Sequence, residues 1–193
     1  PSLALVTIAL LIPLLLLFDQ VFFAEADQKL CFFNYPIMGD DRTYFGVHLE
    51  GCKFTEAFAA LVMGFRWSPY LQSVIGDLLC NCPPLQRLFH ITKGPGFFVF
   101  RAKDQNGNPT NRIVAVLVVF YDNFGVFAIS AEIRETVCQT LGKYAKSFGV
   151  IWKKKTPSDP DWRYSQNEGD FLGVHFKRVG NRLLLRHVQE NVE

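Results

Sequence analysis

From Ile113 to Tyr121 the chain is apolar without a break. A strand with one wet face alternates apolar and polar side chains, so an unbroken run of this kind has both faces covered and reads as a central strand. Asp122 and Asn123 turn the chain, and Phe124 to Ile133 returns as the hairpin partner. Residues 134–148 then switch to helical spacing. Val137, Leu141, Tyr144, Ala145 and Phe148 share one face, Arg134, Glu135, Lys143 and Lys146 lie off it, and Gly149 is a natural stop.

Other elements follow the same rules. Residues 43–49 read as a strand, and Thr55 opens an apolar helix through Phe65. Ser68-Pro69 is a helix start, a hydroxyl to cap the free amides and a proline for the first turn. Leu71, Val74, Ile75, Leu78 and Leu79 give residues 69–80 one apolar face, and Pro83-Pro84 prevents further extension. Gly96 to Lys103 reads as a strand rich in Phe, with a turn at Gln105 to Pro109. Val150 to Lys154 is a short strand. Residues 155–170 form the long polar stretch, a loop length that is often functional. Phe171–Arg178 and Arg182–Val188 close the chain as a hairpin.

The N-terminus is almost wholly apolar from Leu3 to Phe18 and resumes after Asp19-Gln20 as Val21-Phe22-Phe23-Ala24. The stretch ends in Ala24-Glu25-Ala26, the small-x-small pattern of a secretory cleavage site. Counted through Ala24 it is also long enough for a single membrane span. Residues 1–26 are therefore expected to be a signal peptide or anchor, and 27–193 a single secreted or membrane-anchored domain. Without residues 1–26 the chain keeps 20 basic and 16 acidic residues, a charge of +4. That is too mild for a nucleic-acid partner. The one dense basic run, Lys153-Lys154-Lys155, reads as a solvated strand end or as an anionic contact.

Export would make the five cysteines a disulfide question. Cys31 and Cys52 are expected to pair with Cys80 and Cys82 in some order, because Cys80-Asn81-Cys82 is too close to bridge itself without strain. Cys138 stands alone on the helix. No CxxC or HxxxH spacing supports a metal.

The element order from Gly96 onward is strand, strand, strand, helix, strand, loop, hairpin. With the hairpin Ile113–Ile133 and the closing string Phe176-Lys177-Arg178-Val179-Gly180-Asn181, it resembles the GCN5-related N-acetyltransferases over residues 43–188. The resemblance implies acetyl-CoA as cofactor, held where the family carries Gln/Arg-x-x-Gly-x-Gly/Ala at the start of its main helix. The matching window is Arg134-Glu135-Thr136-Val137-Cys138-Gln139, so the implied coenzyme residues are Arg134, Thr136, Val137, Cys138 and Gln139. Arg134 matches. Val137 and Gln139 replace the small residues that let phosphate approach free amides, and Glu135 adds a negative charge there.

His48 and His175 both follow Gly-Val on expected strands and would approach each other, with Glu50 nearby, if those strands were neighbours. Asp40-Asp41 offers too few ligands for a cation. Cys138 reads as core or as a nucleophile. Trp67, Trp152, Trp162 and Tyr164 read as core filler or as a binding surface near the long loop. No set of catalytic residues is complete.

The expected fold is α+β, a mixed, mainly antiparallel sheet packed by two or three helices and preceded by an N-terminal hydrophobic helix. The expected function is a non-catalytic interaction domain that meets a protein partner or a membrane, as part of a larger assembly. An acyl-CoA-dependent N-acyltransferase, or an inactive relative of it, is the alternative.

Overall fold

The computed structural model describes residues 12–13, 15–29, 36–40, 42, 46–48, 50–51, 53, 55–57, 60, 68–94 and 96–188. Fourteen elements are described. The strands are β1 Phe22–Asp27, β2 Gly46–His48, β3 Thr55–Ala57, β4 His90–Gly94, β5 Phe97–Lys103, β6 Pro109–Phe120, β7 Asn123–Ala128, β8 Arg163–Gln166, β9 Glu168–Phe171, β10 Val174–Val179 and β11 Arg182–His187. The helices are α1 Ser68–Cys80, α2 Pro83–Leu88 and α3 Ala131–Ser147.

Six strands form the main sheet in the order β4-β5-β6-β7-β1-β8, and every neighbouring pair runs antiparallel. The three-stranded sheet β11-β10-β9 and the ribbon β2-β3 are antiparallel too. The described sheets are thus antiparallel throughout, where a mixed sheet was expected.

Period-two alternation splits the central strands between two cores. Phe98, Phe100, Ala115, Leu117, Phe124 and Val126 face a layer made of α1, α2 and α3. Phe97, Val99, Val116, Val118 and Phe127 face the other way, against Phe171 and Phe176 of β9 and β10. The unbroken apolar run has both faces covered, as its composition demands. Edge-on aromatic contacts tie the second core together, with the ring of Phe23 5.0 Å from Phe176 and 6.0 Å from Phe171.

The described part of the N-terminal segment differs from the expected helix. No hydrophobic helix precedes the domain among the described residues, and none of the described helices is long and apolar enough to cross a membrane. Among the described residues of this segment, helical backbone occurs at 12–13 and 15–16. Leu15, Phe18 and Val21 are buried in the second core, and β1 lies inside the sheet between β7 and β8. A boundary after Ala26 would fall within that strand. Two polar anchors fix the segment. The buried Arg178 guanidinium donates to the Leu15 carbonyl at 3.0 Å, and the Val21 amide donates to Asn167 Oδ1 at 2.9 Å.

Smaller differences have local causes. The returning strand ends at Ala128 rather than Ile133, because the Ser130 hydroxyl accepts from the Ile133 amide and starts α3 early. Pro83 and Pro84 do not merely stop α1; they occupy the first turn of α2, where a missing amide costs nothing. Thr55–Ala57 is a strand paired with β2, not the start of a helix, and 61–67 lies outside the described residues. Residues 150–154 hold only an isolated bridge, Trp152 to Gln28. The long polar stretch contains β8 and most of β9.

Candidate functional site

The sequence gives α1 one apolar face, of which only the Ile75 and Leu79 side packs inward. Gln72, Gly76, Leu79 and Cys80 are buried, whereas Leu71, Val74 and Leu78 are exposed, Leu78 to 67%. Two contacts set this rotation. The Gln72 amide nitrogen donates to Gln28 Oε1 at 3.1 Å and to the Tyr121 carbonyl at 2.9 Å. Gly76 lies so close to β6 that a Cβ there would stand 2.8 Å from Val119 Cγ2. A buried polar anchor and a side-chain-free contact thus turn the Leu71-Val74-Leu78 stripe away from the core.

Leu78 of that stripe borders an apolar cleft of about 420 Å³, lined also by Ile75 and Leu79 of α1, Pro36, Pro83, and Tyr144 and Phe148 at the end of α3. Phe148, the residue that closes α3, is 63% exposed. Large apolar side chains clustered in a concavity mark a surface that another molecule covers more often than scattered ones do.

A second cleft, of about 590 Å³, adjoins the first at Val150, which lines both. Its wall carries Lys29, Lys146, Lys154 and Lys155 against one acid, Asp161. Lys146 and Lys154 bridge Asp161 at 2.5 and 3.0 Å. Burial raises the Asp161 pKa, but the hydrogen bonds and charges of the two lysines outweigh it and hold the carboxyl below its ordinary range.

The five residues implied by the acetyltransferase resemblance do not form one surface. Val137 and Cys138 are fully buried in the helix-layer core, Thr136 is half-buried, and Gln139 is exposed. Arg134 is buried, its guanidinium 4.4 Å from the centre of the Tyr164 ring, and it donates to the Ser165 carbonyl at 3.3 Å. It holds β8 against α3. Burial also pushes the Cys138 thiol far up, well away from thiolate chemistry at neutral pH.

Cys80, Cys82 and Cys138 are free, buried thiols, and Cys31 and Cys52 lie outside the described residues. Burial raises the pKa of Cys80 and Cys82 as well. His48 and His175 are not on neighbouring strands, because β2 pairs with β3 and β10 with β9 and β11. His175 Nδ1 instead meets Asp170 Oδ1 at 2.6 Å across the β9–β10 pair. Trp152 and Trp162 are core residues, their rings 5.4 Å apart, while Tyr164 is exposed and Trp67 lies outside the described residues. Asp40 is exposed, and no cluster of three or more metal-ligating side chains occurs among the described residues.

No known family model and no curated protein matches this chain.

Proposed function

We propose that this protein is a non-catalytic interaction domain that docks a protein partner in the cleft between α1 and the end of α3. The observation that carries the reading is the outward rotation of α1, which sets Leu78 in one cleft with the exposed Phe148 and leaves Leu71 and Val74 exposed on the same helix. A helix held inward through Gln72, Leu79 and Cys80 that still presents Leu71, Val74 and Leu78 outward needs a second surface to bury those side chains. Residues Leu15 to Asp27 belong to the folded domain in this reading, so processing after Ala26 forms no part of it.

Oxidative footprinting tests the proposal. Leu78 and Phe148 are expected to be labelled in the purified chain and protected in the protein taken from its cells in native assemblies. Equal labelling in both overturns it.

An acyl-CoA-dependent N-acyltransferase is the competing reading. Two buried side chains and one engaged arginine in the implied coenzyme window speak against it. Calorimetric titration with acetyl-CoA is expected to give no binding heat, and saturable binding would restore that reading.

A further inference from the structure

The apolar and lysine clefts meet at Val150, and the last turns of α3 serve both. Tyr144 and Phe148 line the apolar side and Lys146 the charged side. We propose that the two clefts form one groove for a segment of a protein partner in which apolar side chains are followed by carboxylates. This rests on the interaction-domain reading above and adds the chemistry of the occupant.

Charge complementarity selects it. Lys146, Lys154 and Lys155 of the second cleft outnumber Asp161, which Lys146 and Lys154 bridge, and Asp159, which lies near Lys155. The wall therefore keeps a net positive charge after its internal pairs are made. Carboxylates entering there meet a complementary field, and the apolar end of the same segment covers the neighbouring cleft. Shape separates a peptide from a bilayer. Both features are concave, and a protruding chain enters a concavity that a flat lipid surface spans without filling.

A photoreactive phenylalanine analogue placed at position 148 or 155 of the full chain, in the cells that make it, tests the proposal. Both positions are expected to cross-link the same polypeptide. Sequencing of the adducts should place position 148 beside apolar residues and position 155 within a run of Asp and Glu. Lys155→Glu should lower the yield at position 148 severalfold. Protein adducts from 148 alone, or a non-acidic adduct at 155, overturn the acidic segment while leaving the interaction domain standing. Lipid adducts at both positions overturn it in favour of a membrane surface. No adduct at either position overturns the interaction domain itself.

Discussion

Asn167 and Val21 are joined twice. The Val21 amide donates to the Asn167 side-chain oxygen at 2.9 Å, and the Asn167 amide donates to the Val21 carbonyl at 2.7 Å. Asn167 holds φ at 62°, a left-handed conformation that asparagine tolerates better than most residues. Its own carbonyl accepts from the Arg178 amide, so one residue between β8 and β9 ties the N-terminal segment to β10. Asn167→Gly keeps the backbone conformation and loses one side-chain bond, at a cost of about 1 kcal/mol. Asn167→Ala adds left-handed strain and is expected to cost about 1 kcal/mol more. Chemical denaturation measures both, and equal stabilities would show that the backbone conformation carries no strain.

The same link gives a truncation test. A chain beginning at Gln28 lacks β1, the strand that joins β7 to β8 and contributes the buried side chains Phe23, Ala24 and Ala26. It is expected to show no cooperative thermal transition, whereas a chain beginning at Ile12 unfolds cooperatively. A stable, cooperative domain from Gln28 onward would mean that β1 is dispensable.

Gly142 faces two tryptophans. A Cβ there would lie 3.3 Å from Trp162 Nε1 and 4.0 Å from Trp152 Nε1, and neither indole N–H has an acceptor among the described residues. Gly142→Ser brings a hydroxyl acceptor within reach of both, while Gly142→Ala brings a methyl group and leaves both unpaired. A hydrogen bond to the serine hydroxyl contributes about 1 kcal/mol, so serine is expected to be the more stable of the two. It should prevail over alanine's greater helix propensity, about 0.5 kcal/mol. Thermal melts followed by tryptophan fluorescence report the order, and an alanine variant at least as stable as serine contradicts it.

The lysine cleft predicts a pH dependence. Asp161 titrates lower in the folded chain than its ordinary 3.8, because Lys146 and Lys154 outweigh its burial. A lowered folded pKa gives stabilisation that is present above the ordinary value and is lost as pH falls through the lowered one. Asp161→Asn should therefore lower Tm at neutral pH, and the gap from the unaltered protein should close in strong acid. A gap independent of pH would mean that the carboxylate contributes only its shape.

Much of the framework was legible because composition and period agreed locally. The continuous run in β6 demanded cover on both faces, and the spacing of Val137, Leu141 and Ala145 placed α3 within three residues at its start and one at its end. The burial of Leu15, Phe18, Val21, Phe23, Ala24 and Ala26 was not legible, because apolar residues with a small-residue ending suit a leader, a membrane span and a buried strand alike. β1 pairs with β7 and β8, and partners about a hundred residues or more away are not visible in a short window. The cleft was hidden for a related reason. Spacing showed an apolar face on α1, but the turn of the helix was set by Gln72 reaching Gln28 and Tyr121 and by Gly76 meeting Val119. Val137 of the acetyltransferase window was already on the apolar face that spacing gave α3, and it is buried there with Cys138.

The cleft is tested most directly by the size of the native assembly. Leu78→Asp together with Phe148→Asp places two charges in the apolar groove at side chains that are already exposed, so the fold itself should survive with an unchanged Tm. Each charge at a buried contact is expected to weaken docking by about 2 kcal/mol or more. Size-exclusion chromatography of the tagged full chain from its own cells should show the unaltered protein in an assembly larger than the monomer and the double variant as a monomer. Co-elution of the double variant with the same assembly, or a monomeric unaltered protein, would contradict the docking role of the cleft.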